Sequence, residues 1–343
     1  MTALLRHTGS ARAQITLVTA VLAVLAVLFA MPGAPLAAPG ADDEGGTVAL
    51  RKKLDSATRA YNNAKGRVDT SRKKQKKLDK EIKALKAKSD ALYGQVGQMA
   101  AAVYKGSWAG SVTALMESGS PDELADGMTT VSYLATRDHK QIKAFTGAHD
   151  ELAKKRYAVE LEMRKQREQL KKMAKRKKEA LKALIAAGGG DPTSGFYGGG
   201  PGAAPAPRNP DGSWPPEACS EPDPTTSGCL TPRTLHAYKQ ARNAGFTRYT
   251  SCHRSGGSGE HPKGRACDFA AFKDGFRNYA ATGSDKQYGD NLAGWFVNNA
   301  NRLGVMYVIW YRQSWSPGTG WTSYNGGGSP SGDHTNHVHV SIQ

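Results

Sequence analysis

From Leu50 onward, apolar or small side chains recur with alternating steps of four and three: Leu54, Ala57, Tyr61, Ala64 and Val68. The seam dips through Ser71 and Gln75, then resumes at Leu78, Ile82, Leu85, Ser89, Leu92, Val96, Met99 and Val103, with Lys and Arg between. Such spacing, sustained over several heptads without a proline, predicts a coiled-coil helix. Gly106, Gly110 and Gly119 break the pattern. Ser120, Pro121 and Glu123 then supply an N-cap, a first-turn proline and an acid at the third position, which together start a helix. A second seam follows through Leu124, Met128, Val131, Ala135, Ile142, Phe145, Ala148 and Leu152, continuing at Val159, Met163, Leu170, Met173, Ala180 and Leu184. Two helices of about 60 residues, each about 90 Å long at 1.5 Å per residue, are predicted to fold back as a long antiparallel α-helical coiled-coil hairpin over residues 47–187.

Residues 188–216 are rich in Gly, Pro and Ala, a composition expected to be flexible to semi-extended and to act as a linker. The remaining residues, 217–343, have the length of an ordinary single domain. Their pattern alternates between periods. Residues 232–245 read as a helix presenting Leu235, Tyr238 and Ala241, and residues 291–303 as an amphipathic helix presenting Leu292, Trp295, Phe296 and Leu303. Residues 246–252, 266–272, 305–311 and 337–342 read as strands. A small α+β domain with a mostly antiparallel sheet is the expected fold. The aromatic-rich run 307–321 reads either as core packing or as a ligand platform.

The net charge of +17 is uneven: residues 47–187 hold about 32 of the 47 Lys/Arg and 16 of the 30 Asp/Glu. Long charged helices are usually solvated, and for an exported chain the anionic partners would be membrane surface, wall polymer or another protein, not nucleic acid. Export is expected because Arg6 and Arg12 precede an apolar run over 15–31 and a small-residue segment, so residues 1–40 read as a signal peptide. An uncleaved signal anchor is the alternative. The four cysteines, Cys219, Cys229, Cys252 and Cys267, then read as two disulfides. The expected pairs are Cys219–Cys229 and Cys252–Cys267, and the rival role for Cys267 is a metal thiolate.

Chemistry concentrates at two stretches, His261–Pro–Lys–Gly–Arg–Ala–Cys–Asp268 and the terminal strand. Residues two apart on a strand share a face. His337, His339 and Ser341 therefore face one way and Val338, Val340 and Ile342 the other. Asp268 shares its face with the small Ala266 and Ala270. His261, Asp268 and one C-terminal histidine would supply three ligands, the number a catalytic zinc takes when its fourth position stays open. His139 and His149 stand alone in the helices and read as solvated.

The sequence Gly–Glu–His–Pro–Lys–Gly–Arg–Ala–Cys–Asp over 259–268, with the terminal His–Val–His, resembles the LAS group of zinc metallopeptidases, which spans D-Ala-D-Ala carboxypeptidases, murein endopeptidases and the hedgehog signalling domain. The resemblance covers the C-terminal third. It implies His261, Asp268 and His339 as zinc ligands and Arg254, in Ser–Cys–His–Arg–Ser, as a substrate-holding residue. It further implies His337 as base or transition-state stabiliser, assisted by His334. The carboxypeptidase branch carries a glutamate where this chain has Asn336, and Asp333 is a weaker substitute for it. The middle region, especially 98–138, resembles the coiled-coil segments of secreted bacterial cell-wall hydrolases and the helical hairpins of divisome-associated hydrolase activators.

Three functions are compatible with these features. One is an exported zinc peptidase cutting peptidoglycan stem peptides or cross-links, with a regulatory or localising hairpin. Another is a catalytically inactive wall-binding module of the same fold. In the third, the hairpin is a scaffold or activator of a wall-remodelling complex, engaging a membrane or divisome protein.

Overall fold

The computed structural model describes residues 47–106, 110, 113, 117, 120–186 and 188–343. The expected signal segment lies outside the described residues. Among the described residues, no helix is long and apolar enough to cross a membrane.

Helix α1 (Val48–Tyr104) and helix α2 (Pro121–Ala186) pack against each other as a hairpin. The cross-contacts run in opposite order along the two chains: Ser71 meets Glu162, Glu81 meets Lys155, and Tyr93 meets Phe145. Antiparallel pairing follows. Ser120 Oγ accepts from Glu123 N at 3.2 Å, the cap read from the sequence. Along α1 every expected seam position except Val103 is at least partly buried. Ser71 and Gln75 form a polar layer in the seam: Ser71 Oγ lies 3.1 Å from Glu162 Oε2, and Gln75 Nε2 donates to Gln166 Oε1 at 2.9 Å. That layer corrects the seam expected for α2. Glu162 and Gln166 occupy the inner positions, so Met163 and Leu170 face outward, as do Leu124, Met128 and Ile142.

The C-terminal domain is built on a six-stranded antiparallel sheet. Its members are β3 (Thr250–Ser251), β4 (Ala266–Ala270), β5 (Val305–Trp310), β6 (Gln313–Ser316), β7 (Gly320–Ser323) and β8 (His337–Ile342), in the order β3-β4-β8-β5-β6-β7. The small pair β1 (Glu221–Pro222) and β2 (Cys229–Leu230) stands apart from it. Helices α3 (Pro232–Asn243), α4 (Gly283–Asn298) and α5 (Ala300–Leu303) complete the domain. Val338, Val340 and Ile342 enter the core with Phe269, Trp295, Phe296 and Val308, while the opposite face of β8 carries the histidines. Both expected disulfides are present, Cys219–Cys229 and Cys252–Cys267, so Cys267 has no thiolate to offer a metal.

Four expectations are sharpened or corrected. The strand expected over 246–252 is only two residues long, and α4 begins eight residues before the expected 291. The aromatic run 307–321 folds through β5, β6 and the start of β7, with Trp310 fully buried. Residues 188–216 are not a free tether. Trp295 Nε1 donates to the Pro201 carbonyl at 2.9 Å, Ala203 N donates to Asn299 Oδ1 at 2.8 Å, and Pro192 bridges to Thr322. A Cβ on Gly198 would run into the Asn291 carbonyl, so glycine here allows close backbone approach to α4.

The base of the hairpin is seated on the domain. Arg51, Asp55, Thr58 and Asn62 form a buried stripe on α1 at helical spacing. Asn62 Nδ2 donates to the Val305 carbonyl at 3.1 Å, and Asn63 Oδ1 accepts from Trp214 N at 2.9 Å and Gln343 Nε2 at 3.0 Å.

Candidate metal centre

Register places the site. β4 and β8 pair so that Asp268 stands opposite His339, Ala270 opposite His337 and Ala266 opposite Ser341. The two alanines leave room beside the imidazoles. His261 opens a single 3-10 turn (His261–Lys263) ended by Gly264 at φ 66°, where a Cβ would collide with the Cys219–Cys229 hairpin. Cys252–Cys267 ties the segment leading into that turn to β4. His334 adopts φ 52°, an uncommon left-handed conformation for a non-glycine residue, and its carbonyl accepts from Tyr311 N at 2.9 Å.

These elements bring His261, Asp268 and His339 together, with one ligand atom from each lying within 4.8 Å of the others. His339 Nδ1 is 2.9 Å from Asp268 Oδ1 and 3.2 Å from His261 Nε2, and His261 Nε2 is 3.2 Å from Asp268 Oδ2. His334 and His337 stand beside them, with ring centroids 4.7 Å apart. Side chains of His334, His337 and His339 are 0% exposed and His261 is 1% exposed. Tyr307 stacks on His339, Tyr324 meets His334 edge-on, and Phe276 meets His337 edge-on.

The histidines share one arrangement. Each spends one ring nitrogen on an outer partner and turns the other toward the cluster. A carbonyl can only accept, so His261 Nδ1 donates to Cys252 O, and His334 Nδ1 donates to Gly332 O at 2.9 Å. Asn336 Nδ2 donates to Arg277 O at 2.6 Å, which turns its Oδ1 to accept from His337 Nδ1, also at 2.6 Å. Ser341 Oγ lies 2.8 Å from His339 Nε2 and leaves Nδ1 on the cluster side. Outer hydrogen bonds of this kind fix tautomer and ring orientation at metal sites. His334 Nε2 and His337 Nε2 are buried without a hydrogen-bond partner. Buried nitrogens left unpaired are costly, and an ion or substrate atom would satisfy them.

Electrostatics agree with this geometry. Burial opposes ionisation of Asp268, but His261 and His337 and the hydrogen bonds from His261 and His339 hold its carboxyl well below the usual range. Burial, with the neighbouring histidines, pushes His334 well down, and burial pushes His337 down to about 4. Both are neutral at physiological pH and carry a lone pair on Nε2. Burial disfavours protonation of His261, yet Asp268 raises its pKa overall. A borderline cation such as zinc suits one carboxylate and two imidazoles, and the donor set fits it.

Arg254 lies beside the cluster and gives Nη1 to Asp268 Oδ2 at 2.8 Å. Asp333 is committed elsewhere: Oδ2 accepts from Arg312 Nε at 2.8 Å and Oδ1 from the amides of Gly326 and Gly328. It does not serve in place of the missing glutamate. The roles of Asn336 and Ser341 as orienting residues, and of Tyr307, Tyr324 and Phe276 as walls, were not read from the sequence. Ser341 gave a signal by sharing the imidazole face of β8, and Tyr307 by opening the aromatic run 307–321. A second grouping of Cys219, Cys229 and His253 contains disulfide sulfurs and has no thiolate to give. His139 and His149 are exposed on α2.

No curated protein and no solved structure matches the chain. A family model described as VldE, C-terminal domain, matches residues 226–335. That segment, about a third of the chain, contains Arg254, His261, Asp268 and His334 and ends just before β8. The match supplies no link to zinc peptidases, so that reading rests on the residues themselves.

Proposed function

We propose that the C-terminal domain is a zinc-dependent peptidase acting outside the cytoplasm on peptidoglycan stem peptides or cross-links, with the hairpin restraining or localising it. The observation carrying this reading is the pair of buried Nε2 atoms of His334 and His337, neither in a hydrogen bond and the latter 3.6 Å from Asp268 Oδ1, beside the His261–Asp268–His339 cluster. His261, Asp268 and His339 would hold the ion. Bound there, zinc supplies Lewis-acid polarisation of a carbonyl and a water acidified toward neutrality. His337, kept neutral by burial and fixed by Asn336, would serve as proton acceptor through Nε2. His334 Nε2, also a lone pair, would accept a hydrogen bond from the water or from a substrate N–H, and Arg254 is near enough to present a planar fork to a substrate carboxylate or carbonyl. Two disulfides suit an oxidising compartment, consistent with export.

A wall-binding module without catalysis is the second reading, favoured by Asn336, whose amide stands where a catalytic carboxylate would otherwise be. Zinc content and muropeptide release from the full chain separate the two. About one zinc per chain, lost in His261→Ala and His339→Ala, supports the centre. Release abolished by His337→Ala with zinc retained supports catalysis. No zinc after reconstitution of the disulfide-bonded protein overturns the proposal, and zinc without release leaves the binding module.

A further inference from the structure

We infer that the base of the hairpin is an autoinhibitory lid, closed over the histidine cluster in this structure and released by breaking a small set of polar contacts. The lid itself stands on geometry. Its meaning as regulation of peptide cleavage rests on the function proposed above.

Helix α1 holds the surroundings of the site on two sides. Arg51 Nη2 donates to Ser258 Oγ at 2.6 Å, and Arg59 Nη2 meets Glu260 Oε2 at 2.6 Å. Both acceptors lie in the short segment that delivers His261. On the other side, Leu50, Arg51, Leu54 and Asp55 line a cavity with Tyr307 and Tyr324, the rings packed on His339 and His334. The cavity left between helix and sheet is about 40 Å³. Ligand pockets run to about 300–1,000 Å³, so the space between helix and sheet, which is walled by Tyr307 and Tyr324 and not by the cluster residues themselves, admits no peptide while the helix is seated.

The contact is also built to open. Its latches beside His261 are polar, next to an apolar patch of Leu50 and Leu54 against Tyr307 and Ile309, and polar latches are the character of inter-domain contacts that move. Glu260 is 1% exposed, and an isolated buried carboxylate would be costly. However, Lys263 Nζ lies 2.6 Å from its Oε1 and Arg265 Nε 3.3 Å from its Oε2. Departure of Arg59 therefore leaves Glu260 compensated by two cations of its own domain. The side chain of Arg59 is already 23% exposed and passes into water.

The test uses the full chain and histidine acylation by diethyl pyrocarbonate, read by peptide mass spectrometry, with exposed His149 as internal reference. In the unaltered chain, His334 and His337 are expected to react far more slowly than His149. In Arg51→Glu/Arg59→Glu, their rates should rise about tenfold or more, as expected when charge-assisted contacts become repulsions, while helicity and both disulfides persist. Arg59→Gln gives a milder second variant should the double change fail to fold, and a smaller rise is expected there. Equal rates for His334, His337 and His149 in the unaltered chain overturn the lid. Unchanged protection in a folded variant does so as well. Faster acylation without muropeptide release keeps the lid and sinks the peptidase, whereas release from a chain whose cluster stays protected does the reverse.

Discussion

Asp268 on β4 and His339 on β8 face each other across one register position, with Oδ1 of the first 2.9 Å from Nδ1 of the second. Arg254 Nη1 holds the other carboxylate oxygen at 2.8 Å. A single fully buried carboxylate thus ties a cation and a prospective ligand histidine into one cluster.

Asp268→Asn is therefore expected to abolish zinc binding and to destabilise the metal-free chain. The amide keeps the shape but removes the anion beside Arg254, and breaking a buried pair costs about 3–5 kcal/mol. Zinc titration and thermal unfolding in chelator check the two effects. Wild-type zinc affinity in this variant would remove Asp268 from the ligand set.

Asn336→Ala removes the acceptor that fixes His337. Zinc content should remain, and cleavage should fall by about 10–100-fold, the usual effect of losing an orienting partner. Asn336→Asp keeps an oxygen at that position and should recover part of the rate. If Asn336→Ala leaves the rate and its pH profile unchanged, His337 is not the proton acceptor.

The polar layer of the hairpin should make it acid-labile. Burial raises the Glu162 carboxyl, but hydrogen bonds from Lys165 and Ser71 outweigh it and hold the group below its usual value. A folded-state pKa below the unfolded value, about 4.3, contributes stability above that pH, and this is lost as pH falls through the folded pKa. Helix melting followed by circular dichroism should show this loss. Glu162→Gln should flatten the dependence over the same window.

Gly198→Val tests whether residues 188–216 are strapped to the domain. The new side chain must displace either the strap or the Asn291 turn of α4. A cost of about 1–3 kcal/mol is expected, as for overpacking a tight contact, together with new proteolytic cuts between 188 and 216. An unchanged cleavage pattern would mean the close approach is dispensable.

Much of this architecture was legible because burial leaves a period in the sequence. The α1 seam and the alternation of β8 follow directly from 3.5-residue and two-residue repeats. The α2 seam was only partly legible: its inner positions at Glu162 and Gln166 are polar, so the apolar neighbours Met163 and Leu170 drew the pattern outward. β6 and β7 escaped because Gln313–Ser323 is short, mixed in polarity and broken by Pro317 and Gly318.

The strap and the lid were hidden for a different reason. Glycine that permits contact and glycine that permits motion are the same letter, so Gly198 read as slack. Arg51 and Arg59 resemble any of the solvated cations along α1 until Ser258 and Glu260 are placed opposite them. Of the candidate centre, the ligand types could be read from spacing. Two of the outer partners could not, because Cys252 O and Gly332 O are backbone atoms shared by every sequence.

The seat of the hairpin has a mechanical corollary. Along α1, Thr70 lies beside Gly212 of the strap, and the described helix continues to Tyr104. At 1.5 Å per residue, about 50 Å of shaft overhangs a fulcrum that lies only about 17 Å from Arg59. A sideways load at the overhanging end reaches the Arg59–Glu260 latch multiplied about threefold by these lengths. The hairpin thereby has the proportions of a lever whose short arm ends at the segment carrying Glu260 and His261.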